Sequence, residues 1–263
     1  MPHSAGDGRV YAGSDAGNVI MVRCDAGEGE HNFSLACAIH QKGSSLNIDV
    51  ISDVVCPWCY IGKRQIEAAL ALYAEQNPDA ETPSVNWRPF QLNPQLPAAG
   101  MSRQDYVVQK FGAARAKDVY ARVSGVGAEY GIAFAFDRIV RQPNTVAAHS
   151  LIALAGAAGS PAGLQDRVKE AFLHAYFLDG VDLTNAENLI AIATAAGLDR
   201  AQAEHCLADP ESRRKVEAED QRARAIGVEG VPFFIFNGKV AVSGAQGPKA
   251  LLDAMHQAET ATA

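Results

Sequence analysis

Cys56 and Cys59, separated only by Pro57 and Trp58, are the residues of this chain best suited to chemistry. Two thiols at this spacing can close into a disulfide and reopen, which makes them a candidate redox couple. The same spacing also serves as half of a zinc site, and a zinc site needs further ligands to complete its coordination. No second close pair is available: the other cysteines are Cys24, Cys37 and Cys206. The N-terminal Cys24, His31, Cys37 and His40 have ligand chemistry, but their C-x6-H-x5-C-x2-H spacing fits no zinc module. The sequence therefore favours redox over metal, and no metal site is expected.

The elements on either side must position the pair. Residues 46–55, Leu-Asn-Ile-Asp-Val-Ile-Ser-Asp-Val-Val, are β-branched and apolar and read as a buried strand. Tyr60 to Leu70 then carries apolar residues at helical intervals. The dithiol thus falls at a strand-to-helix junction. The first thiol stands at the helix start and the second one turn in. Backbone N–H groups there lack partners and the helix dipole favours negative charge, so both can stabilise a thiolate. Trp58 holds no positive charge, so it lends the sulfur no cationic help. It reads either as apolar surface beside the sulfur or as packing.

Composition sets the outer limits. The chain has 263 residues, of which 48% are hydrophobic and 20% charged, as in an ordinary globular protein. Its net charge of −7 gives no electrostatic footprint for nucleic acid or an anionic membrane surface. Five cysteines with one close pair are not a secreted disulfide framework, so a reducing compartment, the cytoplasm, is expected. Residues 1–45 are glycine-rich and acidic, without a signal-peptide pattern, and are expected to be a disordered extension.

Further along, a helix over 57–77 ends at Asn77-Pro78, and a strand spans 84–90. From Met101 to Gly227 the pattern is helical. Ser102 with Asp105 marks one helix start, and Asn144 another, for an apolar and therefore central helix over 145–158. Ser160-Pro161 is expected to open a helix to Phe177. Asn185, Asp199 and Pro210 mark three more starts. Phe233–Phe236, Asn237-Gly238 and Lys239–Val242 read as a β-hairpin, followed by a helix over 248–258. The order is β-α-β, a helical block, then β-β-α. That is an α/β four-stranded sheet interrupted by an all-helical insertion, with the thiols at the carboxyl end of the first strand.

On these residues the sequence resembles the thioredoxin-fold DsbA family, within it the FrnE-like branch related to 2-hydroxychromene-2-carboxylate isomerases. The resemblance spans 46–258 and rests on separated stretches in the right order. These are Asp53 through Lys63, Trp87-Arg88-Pro89-Phe90-Gln91-Leu92-Asn93-Pro94, Asn144-Thr145 through His149, Gly230-Val231-Pro232-Phe233-Phe234, and Val242 through Gln246. It implies a thioredoxin-like domain over 46–98 and 228–263, with residues 99–227 as the helical insertion. It also implies a thiol–disulfide oxidoreductase in which Cys56 attacks and Cys59 resolves, Pro57 and Trp58 form the active-site loop, and a cis Val231–Pro232 bond faces the dithiol. The backbone at Val231 and Pro232 would then bind substrate. No resident cofactor is implied. Partners would be protein or small-molecule thiols and disulfides, with glutathione as a co-substrate.

Two rival functions share this scaffold. A glutathione-dependent isomerase or transferase is one, although the isomerase relatives usually present a serine where Cys56 stands. A non-enzymatic chaperone-like binding module is the other. Among further residues, Cys206 reads as helix packing, and His149 and His174 as satisfied interior histidines. Asp53 reads either as a proton-transfer group or as a turn residue, while Arg88 and Asn144 could line a cleft between sheet and insertion.

Overall fold

A computed structural model of the chain describes residues 19–21 and 46–261. The N-terminal ligand candidates Cys24, His31, Cys37 and His40 lie outside the described residues. So does the expected extension, apart from a short strand β1 (Val19–Met21). After it come β2 (Asn47–Ser52), α1 (Pro57–Gln76) and β3 (Ser84–Pro89), with β2 and β3 parallel. A parallel pair needs a crossover, and α1 supplies it. The hairpin β6 (Phe233–Phe236) and β7 (Val240–Ser243) completes a five-stranded sheet of order β1-β7-β6-β2-β3. The expected four-stranded sheet is thus corrected by β1, which pairs antiparallel with β7. In the hairpin turn Asn237 and Gly238 have φ of 50° and 67°, the positive values a type I′ turn requires. The ladder resumes with Phe236 opposite Val240, which makes Lys239 a third connecting residue.

Between β3 and β6 the chain runs through β4 (Met101–Ser102), α2 (Arg103–Phe111), α3 (Ala113–Glu129), a 3-10 turn and β5 (Arg141–Gln142). It continues through α4 (Val146–Ala155), α5 (Leu164–Phe177), α6 (Ala186–Ala195), α7 (Arg200–Ala208) and α8 (Pro210–Ala225). A last helix, α9 (Pro248–Thr260), packs beside α1. The capping signals hold: the side chains of Ser102, Asn185 and Asp199 accept first-turn amides of α2, α6 and α7. The start expected at Ser160-Pro161 moves to Leu164, because Gly163 takes a left-handed φ of 70° and Pro161 belongs to the preceding turn. The first strand ends at Ser52 rather than Val55.

The period-two pattern of the strands sends side chains to two cores. Ile48, Val50, Phe234, Phe236, Val240 and Val242 join one core that continues without a break into α4, α5 and α6. Ile51, Phe233, Ile235 and Ala241 join Ala223 and Val228 in a second, under α8. The sheet is therefore covered on both faces, and its edge strand β3 is closed by the helical block. Gln165 of α5 accepts from the Trp87 amide at 3.0 Å and donates to the Trp87 carbonyl at 3.1 Å, completing an edge that would otherwise be unpaired.

Lys63 of α1 fastens the same joint. It is buried, forms ion pairs with Glu67, Asp166 (3.1 Å) and Glu170 (3.3 Å), and Asp166 also accepts from the Trp87 indole. Gln165→Ala strands both backbone groups of the buried Trp87. Urea denaturation is expected to show a loss of about 2 kcal/mol with an unchanged m value.

Candidate active site

The site is built where β2 stops. Asp53 directs its carboxylate inward: Oδ2 accepts from the Leu92 amide at 2.8 Å, and Oδ1 lies 3.2 Å from His149 Nε2 on α4. The Cys56 amide reaches back to the Asp53 carbonyl, turning the chain toward α1. Cys56 is the residue just before α1, in extended conformation, and Pro57 fills the first helical position, where no hydrogen bond is lost. Cys59 lies one turn in, with its amide on the Cys56 carbonyl at 3.0 Å.

Both are free thiols and buried. Cys56 Sγ donates to the Val231 carbonyl at 3.5 Å. Among the described residues no first-turn amide of α1 donates to the Cys56 sulfur. The Val231–Pro232 bond is cis, so the resemblance and the geometry agree at this loop. Trp58 is half-buried and packs against the main core.

Glycine is required where that loop meets α1. A Cβ built on Gly62 would stand 2.8 Å from Pro232 Cγ and 3.2 Å from Phe234 Cζ. Neither a proline ring nor a packed phenylalanine can swing away as a flexible side chain would. Gly62 therefore lets the cis-proline loop approach the helix that carries both sulfurs.

Electrostatics divide the buried groups. Burial alone would raise the Asp53 carboxyl, but the hydrogen bond and charge of His149, the Leu92 amide and the Lys169 charge outweigh it and hold it below its ordinary value. Burial pushes the Cys59 thiol well up, helped by the neighbouring Cys56 thiol, against the opposing charge of Lys169. Lys169 on α5 is itself buried and its pKa lowered, first by burial and then by Lys63, although Cys59, Asp53 and Cys56 attract its charge. Lys63 behaves oppositely: burial lowers it, but Asp166, Glu67 and Glu170 raise it overall.

The other sequence expectations divide in the same way. His149 is interior and paired, as expected. His174 is corrected: it is 52% exposed beside Asp179, because α5 turns this one position outward between buried neighbours. Arg88 pairs with Asp49 and is 45% exposed, away from the thiols. Asn144 donates to the Leu96 carbonyl at 2.8 Å and accepts the Val146 amide, tying the loop after β3 to α4. Cys206 is buried and donates to the Ser150 carbonyl. Nothing in the sequence marks Lys169 or Gln165, since an isolated Lys or Gln in a helix does not reveal which way it faces. Among the described residues no group of three or more His, Cys, Asp or Glu is placed to hold a metal, and no helix is long and apolar enough to cross a membrane.

The DSBA-like thioredoxin domain family matches residues 47–256, and the chain belongs to it. Among solved structures it is similar to a probable DsbA oxidoreductase of Streptomyces coelicolor, with 28% identity, a TM-score of 0.72, and 83% of this chain and 92% of that chain covered. It shares its fold with a 2-hydroxychromene-2-carboxylate isomerase, at 17% identity and a TM-score of 0.59 over 80% of this chain and 95% of that one. It also shares it with the cytosolic disulfide reductase DsbM of Pseudomonas aeruginosa, at 15% identity and a TM-score of 0.51 over 81% and 95%. No curated protein matches the chain significantly.

Two variants examine the architecture. Gly62→Ala gains about 1 kcal/mol of helix propensity but overpacks a rigid contact at about 1–3 kcal/mol. A net fall in Tm of a few degrees is expected, measured by thermal melting. Asp53→Asn removes the charged partner of His149 and Lys169 and should cost about 3 kcal/mol at pH 7. An unfolded aspartate titrates near 3.8 and the folded one below it. The contribution is therefore complete well above that value and is lost as pH falls through it toward the folded pKa. The stability gap between wild type and Asp53→Asn should narrow over the same range in pH-dependent urea melts.

Proposed function

We propose that this member of the DSBA-like thioredoxin family is a thiol–disulfide oxidoreductase that works through Cys56 and Cys59. What supports the reading is the pair of free, buried thiols brought together at the start of α1, with Cys56 facing the cis Val231–Pro232 loop. Cys56 attacks a substrate disulfide, one substrate sulfur leaves, and a mixed disulfide remains on Cys56. Cys59 then attacks Cys56, the Cys56–Cys59 bond forms, and the second substrate sulfur departs as a thiol. The cycle reverses when the potentials reverse, and about 30 mV corresponds to 1.4 kcal/mol for this two-electron couple.

Substrates are protein or small-molecule disulfides and thiols, with glutathione as the small-thiol partner. Val231 and Pro232 form the binding edge. Val231 precedes β6 and directs its carbonyl at Cys56, so an extended chain pairing with its backbone would bring a disulfide to that sulfur. We place the reaction in the cytoplasm, on the ground that a chain this sparse in cysteine has one close pair to keep reducible. A glutathione-dependent isomerase is the rival reading, and the cysteine at position 56 weighs against it.

Equilibration of the protein with a glutathione redox series should show a single two-electron transition by tryptophan fluorescence. Cys59→Ser should abolish that transition and accumulate a glutathione adduct on Cys56, identified by mass spectrometry. An unchanged thiol count across the whole series would sink the reading. Isomerase turnover that survives Cys56→Ser would transfer the assignment to its rival.

A further inference from the structure

The sulfurs and the edge that faces them sit on different elements. Cys56 and Cys59 belong to the start of α1, whereas Val231, 175 residues after Cys56, belongs to the loop before β6. The span between them is set by whatever seats that loop on the helix. Two buried residues of α1 form the seat, Gly62 and Gln65. Gly62 lies one turn beyond Cys59 and faces the loop with bare backbone: a Cβ there would stand 2.8 Å from Pro232 Cγ and 3.3 Å from Pro232 Cβ. Gln65, only 3% exposed, accepts the Gly247 amide at 3.1 Å. Gly247 closes the connection between β7 and α9, and the Gly244 amide of that connection donates to the Pro232 carbonyl at 2.8 Å.

A side chain at position 62 would not be absorbed evenly. Ordinary contact begins near 3.4 Å, so the Pro232 ring would have to retreat by about 0.6 Å. Phe234, the other neighbour at 3.2 Å, is paired with Val50 of β2 and Val242 of β7 and cannot follow. Pro232 stands outside the β2 ladder, which ends with Ile51 opposite Phe233, and it has no N–H with which to extend one. The displacement therefore falls on Pro232 and on the Val231 carbonyl joined to it, the group that faces Cys56 Sγ at 3.5 Å.

We propose that Gly62 is a specificity-determining positioning residue. The missing side chain fixes the span from the Val231 backbone to the Cys56 sulfur, and with it the preference for extended substrates over small ones. This assignment rests on the oxidoreductase reading above and on its binding edge. A substrate paired with the Val231 backbone must hold its hydrogen bonds and its disulfide in register together. A misplacement of about 1 Å can cost about a hundredfold in rate under such a constraint. A small disulfide without a peptide backbone reaches Cys56 free of it. Gln65 supports the same span through the connection that holds the Pro232 carbonyl.

The test compares two mixed disulfides that share one leaving group, 5-thio-2-nitrobenzoate. One is carried by the central cysteine of a short extended peptide, the other by 2-mercaptoethanol. In both, Cys56 loses its proton to solvent and bonds to the carrier sulfur, and the old S–S bond breaks with its electron pair on the coloured thiolate. Cys59 then loses its proton and displaces the carrier thiolate, closing the Cys56–Cys59 bond. Wild type should react faster with the peptide. Gly62→Ala should lower the second-order rate constant for the peptide about tenfold, and that for the small compound by less than about twofold. Gln65→Ala should show the same selective loss. Gln165→Ala, which loses stability at the β3 edge, should leave the ratio of the two rates unchanged.

A wild-type ratio in folded Gly62→Ala, or in Gln65→Ala should the first variant not fold, would overturn the assignment. So would an equal fall in the ratio for Gln165→Ala, because instability alone would then account for it. Failure of the underlying reading would look different. Wild type that released no coloured thiolate from either compound would remove the oxidoreductase itself. Wild type that reacted with both compounds without preference would remove the binding edge and the role of Gly62 with it.

Discussion

The structure turns on a buried carboxylate at the end of a strand. Asp53 can stay ionised inside the protein only because groups from separate parts of the chain converge on it: the Leu92 amide from the loop after β3, His149 from α4, and the Lys169 charge from α5. Removing one member of such a set leaves the others desolvated and uncompensated, which is why buried ionic clusters resist partial dismantling. The same residue sets the direction of the chain into the dithiol, because the Cys56 amide returns to its carbonyl. Sheet, loop, helical block and sulfurs are therefore coupled at one point.

Around that point the helical block shares the core of the sheet and is not an appendage. A single apolar cluster runs from β2, β6 and β7 into α4, α5 and α6, so neither half buries its surface alone. The edge of β3 illustrates the joint. Gln165 satisfies both backbone groups of Trp87, Asp166 receives its indole, and on the other side Asp220 and Arg224 of α8 hold the backbone of Gln91. The loop that carries Leu92 to Asp53 is thus gripped by two helices that are distant from it in sequence.

Two lysines near one indole ring show how burial acquires different meanings. Lys63 is surrounded by carboxylates and fastens α1 to α5. Lys169 has charge partners but no hydrogen bond, and those partners are Asp53 and the two sulfurs.

The sequence by itself determined the local elements and the strand-to-helix junction that holds the two cysteines. A β-branched run before a C-x-x-C and an amphipathic run after it specify a strand, a junction and a helix through contacts between near neighbours. Asn237-Gly238 specifies its turn, and Ser102, Asn185 and Asp199 their helices, through side-chain and backbone preferences within four residues. Errors fell where a local preference competed with the chain around it, as at Pro161, where a left-handed Gly163 delays the helix, and at His174, whose direction depends on the exact phase of α5. What tertiary structure alone decided is the environment of the sulfurs. Lys169 stands 110 residues after Cys59, and nothing in the local sequence marks it as part of the electrostatic surroundings of the sulfurs. Burial, charge pairing and a glycine-sized gap at Gly62 are properties of a packed interior, and they exist only once distant segments have closed on one another.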